Sequence, residues 1–544
     1  MNVKLLKNIL LSWIQVPTNL YFILGMLFIA IGMAVSHHFT IYNSDDVVWQ
    51  NALLGWHPFS GDTFYGDSDV GFILQAPLYW LTSLFVEPGR RAMFIDGLAL
   101  NLITFSLFYW SAIYFLRIAK VKLTYITLTP LLWVSTLGFY LDRLFLGANL
   151  HNLVVGLIFA FLVLITKLCR LELKTHKKSA VVMAVAVVLL VAFSMVNDRY
   201  FVYFGIAPAI LLVAIYAYKR MIDLKKASLI TLLIILGYFT SKLLTMFLSY
   251  AGLILLKGVG DPVFVEFDNI IAYTLNTVHA YLMIMGADFF GRSVGTVTVV
   301  AIFNFIIAAL VVVAAARTAK LRKVTPELLA ILGIFILNIV AYTFSHLSLG
   351  ILVTYRYLII VPFVAAILMS FYLSQTTRKT LYGALFLGAI VLNIILGLVG
   401  GSAYTTQDAE NFNLVKAQNS NQSENYRMID TVQKEGAKKG YASFWNSNIN
   451  TYFSKDTVRF LPVGCTATGQ TVSRPWFITK QWYFRPASES FYVLDTSPLD
   501  PTCTADQVIQ QFGPPEKVIP FNEHQTIYFY NYDLIERIDT TNLP

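Results

Sequence analysis

Residues 294–316 read VGTVTVVAIFNFIIAALVVVAAA, with no acidic or basic side chain among them. At 1.5 Å per residue, about 20 such residues cross a hydrocarbon core of about 30 Å. Ten more apolar runs accompany this one: 18–36, 92–116, 123–141, 149–166, 180–196, 200–218, 228–256, 327–345, 350–373 and 380–400. Each is expected to be a helix, because a segment in lipid must satisfy its own backbone polar groups. The first run is long, lacks a small-residue cleavage site and is followed by ten others, so it is expected to stay in the chain rather than act as a signal peptide. Composition points the same way. Of 544 residues, 57% are hydrophobic and 13% charged, with a mean hydropathy of +0.63. A soluble chain carries roughly 25% charge. Disordered, collagen-like, coiled-coil and disulfide-rich small proteins are excluded by these figures. Three cysteines are too few for a disulfide framework or a multi-cysteine metal centre.

The net charge of +9 would suggest nucleic acid if the basic residues were clustered on one domain. They follow the connections instead. Alternate connections hold Lys4 and Lys7; Arg117, Lys120 and Lys122; Lys167, Arg170, Lys174, Lys177 and Lys178; Lys219, Arg220, Lys225 and Lys226; Arg317, Lys320, Arg322 and Lys323; Arg378 and Lys379. The intervening connections hold only Arg90, Arg91, Arg143, Arg199, Lys257 and Arg292. Basic residues stay cytoplasmic, so the N-terminus is expected inside and, with an odd number of spans, the C-terminus outside. The charge is topological and argues against a nucleic-acid partner.

Residues 1–400 are therefore read as a membrane module with two long outer loops, 37–91 and 257–293. The piece Ala76–Val86 of the first loop is too short to span and is expected to lie at the interface. An amphipathic run occupies Phe264–Met285. Residues 401–544 are polar and aromatic and read as a small α/β domain outside the membrane. Helices are expected at Tyr426–Lys439 and Ala505–Phe512, and strands at Val458–Val463, Phe491–Asp495, Lys517–Pro520 and Gln525–Tyr532. Cys465 and Cys503 lie in this domain, either bridged or as two free thiols. No internal repeat is apparent.

The acidic residues carry the functional signal. None lies in the middle third of a span, whereas Asp45, Asp46, Asp96, Asp142, Asp198, Asp261, Glu266, Asp268 and Asp288 sit at outer ends and in outer loops. An ion-coupled transporter usually needs a carboxylate near the midplane, and here only Lys242 is ionisable at that depth. In Asn43-Ser44-Asp45-Asp46, adjacent side chains on a helix would diverge by about 100°, so the two carboxylates cannot form a facing glycosidase pair. One can act as a base while the other orients a group. Alternatively, Asn43 caps a helix through Val47–Leu54, with Asp46 closing a capping box. Asp142-Arg143, with His151 nearby, and Asn197-Asp198-Arg199 each place a carboxylate beside a guanidinium, suited either to an interfacial ion pair or to gripping sugar hydroxyls. Trp49, Trp56, Tyr79 and Trp80 are expected as interfacial anchors.

The order of a short N-terminus, one span and an acidic motif opening a long outer loop resembles the GT-C superfamily of integral-membrane glycosyltransferases. Its members include protein O-mannosyltransferases and bacterial aminoarabinose transferases. Gln75-Ala76-Pro77-Leu78-Tyr79 is similar to the family's K-x-P-L-Y-like stretch, and Thr354-Tyr355-Arg356-Tyr357 to the R-Y segment opening a late span. This chain has Asp-Asp where the mannosyltransferases commonly have Asp-Glu. Tyr441-Ala442-Ser443-Phe444-Trp445-Asn446 resembles tails of bacterial relatives, which implies a bacterial plasma membrane.

The resemblance implies a sugar leaving a polyprenyl-phosphate donor for a hydroxyl of a glycan, lipid or protein acceptor. The phosphate is already a good leaving group, so one carboxylate base suffices. Asp45 is expected in that role with Asp46 second, and a single displacement inverts the anomeric carbon. Arg356 is expected to hold the departing phosphate, or to snorkel to headgroups, with His346 a weaker second. Asp198, Arg199, Asp142, Arg143 and Tyr355 are expected to line the substrate cavity. No cofactor is required, although a divalent metal between outer carboxylates is compatible with the chemistry. The rival readings are a transporter or flippase of lipid-linked glycans, and a glycan polymerase. A structural scaffold would leave the outer carboxylates unexplained.

Overall fold

The computed structural model describes residues 15–36, 47–67, 72–140, 152–172, 175–256, 263–291, 294–321, 324–349, 354–398, 423–497 and 500–541. In chain order the helices up to residue 398 are α1 (Pro17–Ser36), α2 (Val48–Gly55), α3 (Phe72–Ser83), α4 (Arg90–Ile118), α5 (Tyr125–Tyr140), α6 (Asn152–Arg170) and α7 (Lys177–Asn197). Then come α8 (Ala207–Tyr218), α9 (Leu224–Tyr250), α10 (Ile270–Ile284), α11 (Thr296–Lys320), α12 (Pro326–Thr343), α13 (Ile360–Gln375) and α14 (Lys379–Leu398). Among the described residues, nine helices are long and apolar enough to cross a membrane: α1, α4, α6, α7, α9, α11, α12, α14, and α13 with the turn before it. Two shorter apolar helices, Tyr125–Phe139 and Val202–Tyr218, fall in the runs expected at 123–141 and 200–218.

One run is shorter as a helix than expected. The apolar stretch 228–256 is helical only to Tyr250; Gly252 turns the chain at φ 90°, and Leu253–Leu256 forms a strand. Its leucines and isoleucine extend an apolar run without extending the helix, because apolarity alone does not distinguish the two.

Packing divides the chain into two compact units: Met1–His38, Gly97–Lys242 and Val259–Tyr404 in the first; Phe39–Asp96, Leu243–Gly258 and Thr405–Pro544 in the second. In the first, α5 packs against α14, α1 and α13. Trp133, Asn304 and Asn393 meet in this interior. Trp133 Nε1 donates to Asn304 Oδ1 (3.3 Å), Asn304 Nδ2 to Asn393 Oδ1 (3.2 Å), and Asn393 Nδ2 to the Thr136 hydroxyl (3.3 Å). All four side chains are fully buried; each donor has a partner, as burial away from water requires.

The Lys/Arg-rich connections mark one end of this bundle. There Arg170 pairs with buried Glu327 (3.0 Å), and both meet the Tyr216 hydroxyl. Lys226 Nζ donates to the carbonyls of Cys169 and Leu171, both 2.7 Å away, occupying groups left open at the C-terminus of α6. α12 starts here on a Thr325 cap, with Pro326 at its first position and Glu327 in its first turn.

In the second unit, β1 (Phe64–Asp67) pairs in parallel with β2 (Leu253–Leu256), and antiparallel with β6 (Ile478–Thr479). The larger sheet runs β5-β4-β3-β7-β9-β8, built from β3 (Lys439–Ala442), β4 (Arg459–Cys465), β5 (Thr471–Ser473), β7 (Ser490–Asp495), β8 (Lys517–Pro520) and β9 (Gln525–Tyr530). β4, β3 and β7 are parallel neighbours, and the other pairings are antiparallel. β3 and β7 are buried at every position, as parallel strands covered on both faces should be. Helices α15 (Ser423–Lys434), α16 (Phe444–Phe453), α17 (Lys480–Phe484) and α18 (Ala505–Phe512) complete it. α18 opens on the capping box of Thr504 and Gln507.

The helix expected at Tyr426–Lys439 ends at Lys434 instead. Gly436 takes φ 80°, and Lys439 begins β3. α16 was not anticipated. Cys465 and Cys503 are bridged.

Candidate functional site

Of the residues singled out in the sequence, Asp45, Asp46, Asp142 and Arg143 lie outside the described residues, as do Asn43 and His151. The helix after the first motif is described. It starts at Val48, with Val47 at its N-cap position and no side-chain cap.

The remaining candidates, Asp198, Arg199, His346, Tyr355 and Arg356, fall in the first unit. Asp198 terminates α7, which begins at basic Lys177. Asn338 and Tyr342 lie in the last turns of α12, and Tyr355 and Arg356 form a 3₁₀ turn just before α13. By chain alternation these positions share the end of the bundle opposite the Lys/Arg-rich connections.

Three hydrogen bonds join them. The Tyr200 hydroxyl donates to the Tyr357 carbonyl (2.9 Å), and Asn338 Nδ2 donates to both that carbonyl (3.2 Å) and the Tyr200 hydroxyl (3.3 Å). The Asp198-Arg199 turn and the Tyr355-Arg356 turn are therefore tied through Tyr200, Tyr357 and Asn338. Asp198 is 1% exposed, and its Oδ1 accepts the Tyr200 backbone N–H at 2.7 Å. That bond closes a turn between α7 and the next helical segment, so one oxygen at least has a structural task.

Backbone irregularity marks the same place. Residues Val202–Ile206 form a π-helical turn. Pro208 has no N–H to return to the Phe204 carbonyl, and such turns often occur at functional sites. The Tyr200 and Phe204 rings lie 4.3 Å apart.

Tyr355 is buried, while Arg356 is half-buried, its guanidinium 5.6 Å from the Tyr357 ring centroid. The turn is braced by Thr354, whose hydroxyl is 2.9 Å from that of Tyr342 and donates to the Leu347 carbonyl. The His346 backbone N–H donates to the Val263 carbonyl at 3.0 Å, and its Nδ1 accepts the Val263 N–H at 3.0 Å. With Nδ1 accepting, a neutral ring carries its proton on Nε2. α10 packs against this 3₁₀ turn and the one at His346–Leu349. At its far end His279 Nε2 lies 3.2 Å from Asp288 Oδ2.

Tyr200, Asn338, Tyr342 and His279 were not singled out in the sequence. Asn338 could have been, since an amide inside an otherwise apolar span is costly and needs partners. Lys242, the only ionisable residue at mid-span, is exposed on α9 with its Nζ 5.2 Å from the Tyr238 ring centroid. Among the described residues, no group of three His, Cys, Asp or Glu side chains could hold a metal ion.

Long apolar helices and a polar cluster buried at one end of their bundle define a multi-pass helical membrane protein. No family model, curated protein or solved structure matches the chain.

Proposed function

We propose that the chain is a membrane glycosyltransferase of the GT-C type, moving a sugar from a polyprenyl-phosphate donor to an acceptor hydroxyl at the outer face. The observation that carries this reading is the Tyr200–Asn338–Tyr357 tie, which joins the Asp198-Arg199 turn to the turn bearing Arg356. A guanidinium held at the rim of an apolar bundle suits a phosphate whose lipid lies in the bilayer. Arg356 stabilises the charge that builds on the leaving phosphate. Asp45, with Asp46 second, takes the proton of the attacking hydroxyl. Asp198, Arg199, Asp142, Arg143 and Tyr355 contribute the surrounding polar wall.

Two observations support the orientation. Lys and Arg concentrate on alternate connections, and the Cys465–Cys503 bridge in the second unit suits an oxidising compartment. The exposure of Lys242 counts against an ion-coupled transporter, which would turn such a group toward the bundle interior.

The test is release of polyprenyl phosphate from a polyprenyl-phosphate sugar, with an acceptor mixture, by purified wild type, Asp45→Asn and Arg356→Ala. The expectation is turnover by wild type and loss of about 100-fold or more in each variant. Equal turnover by all three would remove both residues from their roles.

A further inference from the structure

The stretch Tyr441–Asn446 has no role in the reading above. It spans the end of β3 and the start of α16. From β3 the chain runs through α16 to β4 on one side. From β7, the neighbour of β3 on the other side, it runs through α18 to β8. The two helices cover opposite faces of the sheet. Ile449 and Tyr452 of α16 pack with Phe460 and Phe491, whereas Val508 and Phe512 of α18 pack with Tyr441, Leu461 and Tyr492. Connections that diverge in this way leave a crevice outside the carboxyl ends of the strands, where open α/β sheets bind their ligands.

Three segments of the second unit meet at this point. Asp495, the last residue of β7, is buried. Its Oδ2 accepts Asn446 Nδ2 (2.6 Å), Gln525 Nε2 (3.0 Å) and the Ser443 hydroxyl (3.4 Å), while Oδ1 accepts the Ser497 N–H (2.8 Å). Asp495 is thus spent on the frame, and it fixes the Asn446 amide. Arg474, just after β5, lies over the rings of Trp476 (4.7 Å to the centroid) and Phe444 (5.5 Å), and its Nη1 donates to Asp500 Oδ1 at 2.7 Å. The Phe444 ring meets those of Trp445 and Trp476 edge to face, at 5.1 and 5.3 Å. Phe477, next to Trp476, holds φ 58°, a conformation rare for a bulky side chain and typical of strained ligand sites.

The open atoms indicate the ligand. Trp445, Asn446, Arg474 and Trp476 are half-buried. Among the described residues, Arg474 Nε and Nη2 and Asn446 Oδ1 make no hydrogen bond. A guanidinium edge and an amide oxygen beside aromatic rings suit neighbouring hydroxyls of a sugar whose C–H face packs on a ring. Two carboxylates against one guanidinium disfavour a phosphate or other anion. A cation is not what the rings lack, because Arg474 already lies over them.

We propose that this crevice binds a neutral oligosaccharide, its sugar face packed on Trp445 and Trp476 and its hydroxyls held by Arg474 and Asn446. The site goes beyond the transferase reading and stands without it.

The experiment uses the full-length protein in lipid nanodiscs, free of sugar-headed detergent. The probes are neutral oligosaccharides of glucose, mannose, galactose and N-acetylglucosamine, with a sulfated glycan as the anionic comparison. At least one neutral probe should slow amide hydrogen exchange in peptides covering 441–447 and 471–477, but not in one covering 427–434. Titration calorimetry with that probe should show affinity reduced at least about 10-fold in Trp476→Ala and in Arg474→Lys, which keeps the charge beside Asp500 but loses the fork. Trp476→Phe, which keeps a ring, should bind better than Trp476→Ala. The exchange pattern of wild type decides the matter even if a variant fails to fold. No protection by any neutral probe, protection by the sulfated glycan alone, protection confined to other peptides, or wild-type affinity in both folded variants would overturn the proposal.

Discussion

Tyr200 and Tyr357, 157 positions apart, meet through a 2.9 Å hydrogen bond from the Tyr200 hydroxyl to the Tyr357 carbonyl, and Asn338 donates to both. The bond makes one site of two turns that the sequence presents separately. Removing it should therefore disturb both together. In Tyr200→Phe, the Tyr357 carbonyl loses one of two donors and Asn338 one of two acceptors, their mutual bond remaining; a lost hydrogen bond costs about 0.5–1.5 kcal/mol. The expected result is a lower thermal midpoint in detergent and reduced donor turnover, without loss of expression. Wild-type turnover in this variant would mean that the tie does not shape the site.

Arg356 separates a phosphate role from a headgroup anchor. A planar guanidinium gives paired hydrogen bonds that an ammonium cannot reproduce. Arg356→Lys should retain less than about one tenth of wild-type kcat/KM, with little change in thermal midpoint. A headgroup anchor would tolerate Lys. Steady-state kinetics with a polyprenyl-phosphate sugar distinguish the two.

The Cys465–Cys503 bridge closes a loop over a sequence separation of 38. Bridges of this kind stabilise by about 2–4 kcal/mol, mainly by restricting the unfolded chain. Limited proteolysis of the full-length C465S/C503S double variant should cut the second unit at lower temperature than wild type. Equal resistance would show that the bridge contributes little.

The second unit should also unfold in alkali. Burial pushes the phenols of Tyr441, Tyr483 and Tyr530 well up, and Asp533 raises Tyr441 further by its charge and by accepting its hydroxyl at 2.9 Å. A folded-state pKa above the unfolded value of about 10 contributes stability that is complete below that pH and is lost as pH rises beyond it. Near-ultraviolet circular dichroism of the second-unit aromatics should hold steady to about pH 10 and decay above it. Tyr441→Phe should shift the midpoint upward.

Much of the membrane part was legible because length and apolarity suffice to specify a spanning helix. Every expected apolar run contains a described helix, and Ala505–Phe512 and Lys517–Pro520 formed as read. The failures share a physical cause. β1 and β2 pair between residues 64–67 and 253–256, with four residues each and no shared turn to betray them. Leu253–Leu256 looked like membrane because strand and helix interiors use the same side chains. The Tyr426–Lys439 reading overran Gly436, whose backbone freedom stops the helix. Asn338 carries no charge, so within the apolar run 327–345 it does not stand out as an ionisable residue would. The meeting of the Asp198-Arg199 turn with Arg356's turn depended on packing of α8 on α12 and of α12 on α13, which no local pattern encodes.

The central claim is covalent sugar transfer, and one measurement tests it most directly. Protein in proteoliposomes is given a polyprenyl-phosphate sugar carrying label in the sugar, and label is followed into acceptor and into the vesicle lumen. The account predicts label bound covalently to acceptor, dependent on Arg356 and Asp45, with no luminal accumulation of intact donor. Accumulation of intact donor or free sugar inside the vesicles, with no labelled acceptor, would contradict it.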